Sequence, residues 1–275
     1  MVKKRIAVIG SGFRKNGNAV PPQEIQDIAS PGFEPVLIET RMPAFPISEI
    51  NRNLSEIADI EAGLRAEAEG FDAIFINTVG DYGLSALRSA VRIPVIGAGQ
   101  ASMHAACQLG EKFSIVTIWP EQLRYIYTGL LKLYRMEERC VSIRCVSEDE
   151  ELDTLSKDEN FVTAMRRSEP TQEDRIVRHI ERAVAEDGAD TIVLGCTCMC
   201  PAAKGIAARA KVPVLNPATT GYKAAEMTLA LGITHSGEAY RQAGGERRSW
   251  YHAMTEAIRA LDKKDPRGAN RQAAE

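Results

Sequence analysis

Three features are scarce in this sequence of 275 residues: long apolar runs, an excess of positive charge, and cysteines at the spacing of a disulfide framework. No apolar run reaches the roughly 18 residues of a membrane-spanning helix, so no span is predicted. Asp and Glu (37) outnumber Lys and Arg (34), and the formal net charge is -3. The sequence therefore lacks the excess of basic residues that is typical of a nucleic-acid-binding protein. We predict neither a membrane nor a nucleic acid as a partner.

The N-terminal segment and the cysteines bear on the cellular compartment. The first apolar run ends at Gly10, and it is shorter than the roughly 7–15 residues of a secretory signal. Half of the six cysteines fall within one pentapeptide, Cys196 to Cys200, and no paired spacing points to disulfides. We therefore expect a reduced, cytoplasmic protein.

Short runs of β-branched and aliphatic residues alternate with helix-length amphipathic segments. Strands that are apolar throughout, with helices between them, are typical of parallel sheets covered on both faces. The predicted strands cover residues 5–9, 35–39, 72–76, 94–97, 113–118, 139–146, 190–194 and 213–216. The predicted helices cover residues 55–69, 83–91, 101–109, 120–134, 172–187, 200–210, 219–231 and 247–261. The pattern predicts an α/β fold.

Two stretches of the chain resemble each other. "GFDAIFINT" (70–78) matches "GADTIVLGC" (188–196) at its Gly, Asp and Ile positions. Further on, "RIPVIG" (92–97) matches "KVPVLN" (211–216), and each then enters a segment that ends in Leu-Gly. Two similar strand–helix–strand–helix units indicate a duplicated protein with two similar lobes.

The repeat gives a prediction for the lobes and for the site. One lobe comprises residues 1–98 together with 217–275, and the other comprises residues 99–216. Ligands of parallel α/β sheets bind beyond the carboxyl ends of the strands. Thr78 and Cys196 end equivalent strands, so we expect both to line one cleft between the lobes.

The stretch "DTIVLGCTCMCP" (190–201) offers three interpretations. Its Cys-x-Cys-x-Cys spacing differs from the Cys-x-x-Cys pairs of zinc sites, and no second cluster accompanies it, so no metal is predicted. Cys198 and Cys200 are expected to pack at the start of a helix. Cys196 directly follows a strand, where helix-terminal N–H groups lower a thiol pKa. We predict Cys196 as a catalytic acid, base or nucleophile.

Polar residues at other strand ends are candidate substrate ligands. Ser11, Asp81, Thr117 and Thr197 could each bind a carboxylate or carbonyl oxygen, although capping of a turn explains each of them equally well. The backbone N–H groups of Thr78 and Val79, with the Thr78 hydroxyl, could hold an enolate or carboxylate oxygen.

At the level of motifs the chain resembles the aspartate/glutamate/hydantoin racemase superfamily, nearest its hydantoin racemase branch. The resemblance is carried by "NTVGDYGL" (77–84), "PVIGAGQAS" (94–102), "LGEKFSIVT" (109–117), "VLGCTCM" (193–199) and "PVLNPATTG" (213–221). It implies two Rossmann-like lobes with parallel sheets related by a pseudo-two-fold, and an active site in the cleft between them. It also implies a homo-oligomer and cofactor-free chemistry, with one cysteine from each lobe beside the reacting carbon. Cys196 matches the second of these cysteines, and the first falls at Thr78.

The threonine at position 78 leaves two enzymatic readings open. A threonine hydroxyl is too weak an acid to ionise unaided near neutral pH. One reading is a racemase acting beside a carbonyl or carboxylate of a small acid, amino acid or hydantoin, with Cys196 as thiol acid or base. The other is a one-cysteine decarboxylase, cis–trans isomerase or lyase, similar to arylmalonate decarboxylase or maleate isomerase.

Two further classes compete with these readings. Gly10-x-Gly12 after a strand is a start of a dinucleotide-binding motif, but Lys15 replaces its third glycine, which argues against a dehydrogenase. A non-enzymatic small-molecule sensor is compatible with the missing cysteine, whereas the "LGCT" motif (194–197) opposes it.

Overall fold

Ten strands and ten α-helices form the part of the chain that this computed structural model describes, residues 2–10, 13–15, 18–42, 45–241 and 247–264. Ser11, a predicted substrate ligand, lies outside the described residues. The strands are β1 (Lys4–Ile9), β2 (Phe13–Lys15), β3 (Asn18–Val20), β4 (Phe33–Ile38), β5 (Ala73–Ile76), β6 (Val95–Gly97), β7 (Phe113–Thr117), β8 (Cys140–Cys145), β9 (Thr191–Leu194) and β10 (Val214–Leu215).

The helices that cover these strands differ widely in length. They are α1 (Gln23–Ile28), α2 (Glu49–Ala68), α3 (Leu84–Ala90), α4 (Ala98–Leu109), α5 (Arg124–Tyr134), α6 (Phe161–Arg166), α7 (Pro170–Asp187), α8 (Ala203–Arg209), α9 (Pro217–Ala230) and α10 (Arg248–Lys264). The longest, α2, begins after Ser48, whose hydroxyl accepts the Asn51 N–H at 3.4 Å as an N-cap. The eight predicted strands and eight predicted helices are present, whereas β2, β3, α1 and α6 were not predicted.

Two four-stranded parallel sheets confirm the predicted α/β class. The first has the order β4-β1-β5-β6 and the second the order β10-β9-β7-β8. Within each sheet all neighbouring strands run parallel, so their carboxyl ends lie at one edge. The repeated stretches become β5 and β9, which are interior strands, followed by β6 and β10, which are edge strands. The internal repeat in the sequence is therefore a repeat of structure.

The central strands are fully covered, as their continuous apolar sequences predict. Every residue of β5, β7 and β9 is buried. The first sheet draws its strands from residues 1–98 and the second from residues 99–216, while α9 packs against β5 and β6. The boundaries of the two lobes themselves stay a prediction.

Helix α10 packs against α2 at the outside of the first sheet. Its Arg248 pairs with Glu67 at 3.1 Å, and Thr255 is fully buried. Trp250, Met254 and Leu261 form an apolar face of α10 and are 57%, 41% and 65% exposed. This face therefore does not pack against the rest of its own lobe. Within the described ranges, no helix combines the length and the apolar character needed to cross a bilayer.

Candidate active site

A cavity of about 570 Å³ lies between the carboxyl ends of the two sheets. Thr78 and Val79 line it from the loop after β5, and Cys196 and Thr197 line it from the loop after β9. The structure thus brings four of the seven predicted site residues to one cavity, two from each sheet.

Cys196 is held at the cavity by the geometry of the preceding residue. The Gly195 N–H bonds the Val116 carbonyl at 2.8 Å, and a Cβ atom on Gly195 would collide with Thr117. The buried Tyr127 hydroxyl donates to the Gly195 carbonyl at 2.8 Å and pairs with the Thr117 hydroxyl at 2.8 Å. These contacts fix the point where β9 becomes a loop.

The Cys196 sulfur lies at the start of a short 3₁₀ turn, Thr197–Met199. Its Sγ accepts the Cys198 N–H at 3.1 Å. This hydrogen bond fixes the position of the Cys196 sulfur relative to the turn.

The cysteines differ from the sequence expectation of free thiols. Cys196 and Cys198 are joined by a disulfide, with Cα atoms 5.2 Å apart. Cys200 is buried, as expected for a packing residue, and its Sγ accepts from the Asn216 side chain at 3.1 Å. A bridged sulfur has no proton to give, so acid–base chemistry at Cys196 requires the bridge to be reduced.

Thr197 joins the two lobes at the cavity. Its hydroxyl donates to the Asn77 carbonyl at 2.8 Å, across 120 positions of the chain. Asn77 follows β5 in the same way that Gly195 follows β9. This hydrogen bond connects the two equivalent strand ends directly.

Thr117 and Asp81, two further predicted site residues, are not among the residues that line the cavity. Thr117 is fully buried, and its hydroxyl is occupied by Tyr127. The Asp81 carboxylate accepts the N–H groups of Gly99 at 2.9 Å and Gln100 at 2.6 Å, and the Tyr134 hydroxyl at 2.7 Å. Both side chains are engaged in hydrogen bonds to neighbouring elements of the site.

The pKa of Asp81 reflects this structural position. Burial raises it to about 6, while the hydrogen bonds from Tyr134, Gly99 and Gln100 act in the opposite direction. Asp81 is 6% exposed and has a left-handed φ of 47°. Its role is to tie the loop after β5 to the first turn of α4.

An apolar wall forms much of the cavity and was not predicted from the sequence. Phe45 and Trp119 pack with ring centroids 4.8 Å apart, and Trp119 meets Phe161 edge-on at 5.5 Å. Other apolar and aromatic residues of this wall are Met42, Pro46, Tyr82, Leu123, Ile126, Leu155 and Val162. They come from loops and helix ends of both lobes, so no stretch of sequence marks them as a set.

Three polar atoms in the cavity wall are buried without a hydrogen-bond partner among the described residues. They are Asp59 Oδ2, Asn77 Oδ1 and Thr78 Oγ1. Buried polar atoms in folded proteins are nearly always paired, so an unpaired group beside a cavity calls for an explanation. Burial raises the Asp59 pKa to about 8, and the charge of Glu56 adds to the shift. In the described part of the chain, no three His, Cys, Asp or Glu side chains cluster as metal ligands.

The fold and the cavity, together with the matches to known racemases, define the class of the protein: a two-lobed α/β enzyme of the racemase type, which is an isomerase. A family model described as Asp/Glu/Hydantoin racemase matches residues 23–225. The chain belongs to this family.

Characterised relatives agree with this assignment. The chain is 33% identical to a hydantoin racemase from Rhizobium meliloti over 181 residues, covering 66% of this chain and 68% of the relative. Among solved structures, an allantoin racemase from Klebsiella pneumoniae superposes with a TM-score of 0.73 at 25% identity, covering 90% of this chain and 98% of that one. An allantoin racemase from Pseudomonas fluorescens gives a TM-score of 0.74 at 25% identity, covering 88% and 98%.

Proposed function

We propose that the chain is a cofactor-independent racemase of 5-substituted hydantoins, in which Cys196 exchanges a proton with the carbon beside a ring carbonyl. The observation that carries this proposal is the position of Cys196, between the two sheets and at the wall of the cavity. A thiolate at that place takes the C–H proton, and the carbonyl oxygen receives the negative charge as an enolate. Backbone N–H groups of Thr78 and Val79 are our candidates to bind that oxygen.

The lining of the cavity favours a hydantoin over a free amino acid or a dicarboxylate. Within the described chain its acidic residues are Glu39 and Asp59, and its one basic residue is Arg166. Because the Asp59 pKa is raised to about 8, the described lining holds one carboxylate, Glu39, and one cation, Arg166, near neutral pH. It offers no excess positive charge for a substrate carboxylate, whereas a neutral ring with two carbonyls needs none. Phe45 and Trp119 offer an apolar surface for the 5-substituent. The names of the relatives, hydantoin and allantoin racemase, point to the same ring.

A second candidate follows from Thr78. With one cysteine, the site could protonate an enolate on one face only, as a decarboxylase, cis–trans isomerase or lyase would require. In that case a substrate of the arylmalonate type loses carbon dioxide, and the product has one configuration. The two candidates differ in whether the reaction inverts a stereocentre.

Proton NMR in D₂O distinguishes the two candidates. The reduced enzyme is incubated with single enantiomers of 5-benzylhydantoin, 5-methylhydantoin and allantoin, and with an arylmalonate. We expect loss of the C5 proton together with loss of optical purity for at least one hydantoin, with the aromatic one favoured. Cys196→Ala is expected to lower this rate by about 10²–10⁴-fold, the range for loss of an acid–base group.

Two outcomes would contradict the proposed racemase mechanism. Carbon dioxide release with one product enantiomer would favour the one-cysteine lyase over the racemase. Full activity in Cys196→Ala would remove the thiol from the mechanism. Cys107→Ala serves as a matched control, because Cys107 is a half-buried free cysteine that does not line the cavity.

We also propose a homo-oligomer in the cytoplasm. The exposed apolar residues Trp250, Met254 and Leu261 support an oligomer, since a contiguous apolar helix face favours burial against another surface. A catalytic thiol is best kept by a reducing compartment, which supports the cytoplasm. Light scattering after size exclusion is expected to give a multiple of 30.1 kDa, and Trp250→Glu should shift the mass toward one chain. A wild-type mass of one chain contradicts the oligomer.

A further inference from the structure

A racemase needs a proton donor or acceptor on each face of the reacting carbon, and Cys196 supplies only one. The position where the family pattern has its other cysteine is Thr78, whose hydroxyl is buried and has no hydrogen-bond partner in the described chain. A hydroxyl of this kind does not ionise near neutral pH. If racemisation occurs, a second titratable group must face the cavity.

The described lining residues offer few candidates for that group. Neither a histidine nor a lysine lines the cavity in the described ranges. Glu39 is exposed at the cavity edge, and burial raises the pKa of both Tyr82 and Tyr127 further above neutrality. Cys198 follows Cys196 on the same loop and approaches from the same lobe. Asp59 is the remaining acid.

Asp59 is placed by helix α2, which packs on the first sheet, whereas Cys196 follows a strand of the second. Ser55, Ala58 and Asp59 form the helix face that lines the cavity. Asp59 is 5% exposed, and its Oδ2 has no hydrogen-bond partner among the described residues. No arginine or lysine in the described chain forms an ion pair with it, although such pairs are the usual reason for a buried carboxylate. An acid kept buried and without an ion pair beside a cavity is typical of a group that acts on a ligand.

We propose that Asp59 is the second acid–base group of this site and exchanges a proton with the reacting carbon on the face opposite to Cys196. This inference rests on the proposed racemase function. In one direction the Cys196 thiolate takes the proton from carbon, and the Asp59 carboxyl gives its own proton to the other face. The products are the thiol, the Asp59 carboxylate and the inverted ring. In the reverse direction the carboxylate is the base and the thiol is the acid.

The electrostatic surroundings of Asp59 suit both roles. Burial in the first lobe, with Glu56 on the same helix, raises its pKa to about 8. The groups that face it or share the cavity are Tyr82 after β5, Glu39 after β4, Arg166 at the end of α6 and Cys196 after β9. An acid whose pKa lies near the working pH is present in both protonation states, which is the optimum for proton transfer in both directions.

The test compares Asp59→Asn with Glu61→Gln, a matched loss of a buried carboxylate on the same helix. Glu61 is 2% exposed, pairs with Arg41 at 3.1 Å and does not line the cavity. Both enantiomers of the best hydantoin are followed in D₂O by NMR and chiral chromatography. We expect Asp59→Asn to lower interconversion by about 10²–10⁴-fold, and Glu61→Gln to stay within about threefold of the wild type.

The pattern of deuterium exchange separates chemistry from structure. Asp59→Asn should still exchange the proton of the enantiomer whose C–H faces Cys196, with retention, and should lose exchange in its mirror image. Equal loss of exchange in both enantiomers would indicate a merely structural role and would overturn the inference. Interconversion by Asp59→Asn at close to the wild-type rate would overturn it as well.

A measurement that needs no substrate completes the test. In protein with ¹³C-labelled aspartate, the carboxyl resonance missing from Asp59→Asn is expected to titrate between about pH 7 and 9. Titration near pH 4 would contradict a proton-carrying Asp59. If the wild type interconverts none of the hydantoins, the proposed function fails and this inference with it. An active wild type with an active Asp59→Asn contradicts the inference alone.

Discussion

Reduction of the Cys196–Cys198 bridge is expected to raise the racemisation rate by about 10²-fold or more. In the bridged form the Cys196 sulfur is bonded to Cys198 Sγ, so it has neither a proton to give nor a thiolate charge. A dithiol reductant converts the bridge into two thiols and becomes a cyclic disulfide itself. Chiral chromatography of a single hydantoin enantiomer, with and without reductant, measures the change.

The variant Cys198→Ser isolates the effect of the bridge. It leaves the Cys196 thiol and the N–H of residue 198 in place but removes the sulfur that closes the bridge. We expect it to be active whether or not reductant is present. Cys140→Ser is the matched control, because Cys140 is a half-buried free cysteine outside the cavity, and its variant should keep the dependence on reductant.

Thiol counting ties activity to the state of the bridge. A thiol reagent under denaturing conditions should find two more free thiols after reduction of the bridged wild type, and the count should rise together with the rate. Full activity in a preparation whose mass shows an intact bridge would exclude Cys196 as an acid or base. That result would also redirect attention to Asp59 as the main proton-transfer group.

Replacing Asp59 by asparagine is expected to stabilise the protein at alkaline pH while it lowers activity. The folded-state pKa of Asp59 is raised from 3.8 to about 8. Below about pH 4 both the folded and the unfolded chain bind this proton. Between about pH 4 and 8 only the folded chain keeps it, so the free energy of unfolding falls as the pH rises. Above about pH 8 the folded chain has released the proton as well, and the free energy of unfolding falls no further.

The size of this effect follows from the pKa shift. One pKa unit corresponds to about 1.4 kcal/mol, so the Asp59→Asn substitution removes a penalty of up to about 5 kcal/mol at about pH 8.5 and almost none at about pH 4. Urea unfolding followed by tryptophan fluorescence at both pH values measures the difference. Asp72→Asn is the contrasting control, since Asp72 accepts from Lys4 Nζ and the Arg5 N–H, both at 2.8 Å. It should lose stability, and a destabilised Asp59→Asn at alkaline pH would contradict the prediction.

The fold was predictable because buried parallel strands leave a continuous apolar signal. Each of the eight core strands falls on a predicted run, and the match of 70–78 with 188–196 predicted the equivalence of β5 and β9. The position of Cys196 followed from the same signal, since the end of an apolar run marks the carboxyl end of a strand. The hydrophobic pattern and the turn residues between apolar runs therefore predicted the two sheets and the residues at the strand ends.

The walls of the cavity could not be predicted in this way. Phe45 and Trp119 are far apart in the chain and meet only through the packing of loops. Leu155 lines the cavity from the acidic segment after β8, residues 147–160, whose charged sequence gives no sign of a cavity wall. Asp81 was predicted at the cleft because it follows a strand, whereas two backbone N–H groups of α4 turn its carboxylate away.

The sequence does carry a signal for Asp59. The buried face of α2 includes Ser55, Ala58, Asp59, Ala62 and Ala66, which recur at helical spacing. An acid within a stripe of small buried residues is unusual, because a buried carboxyl without a charged partner is costly. The stripe places Asp59 on the inner face, but which cavity it lines depends on how α2 sits on the sheet, and that is a tertiary property.

The two sheets are built alike, yet the loops after β5 and β9 carry different chemistry, a threonine on one side and a cysteine on the other. For any racemase the two enantiomers are equally stable, so kcat/KM must be the same in both directions whatever the catalyst. Because the functional groups on the two sides differ, kcat alone and KM alone are expected to differ between the two enantiomers. Any difference in KM between the two enantiomers must therefore be matched by an equal difference in kcat. The enantiomer with the lower KM is also the one with the lower kcat.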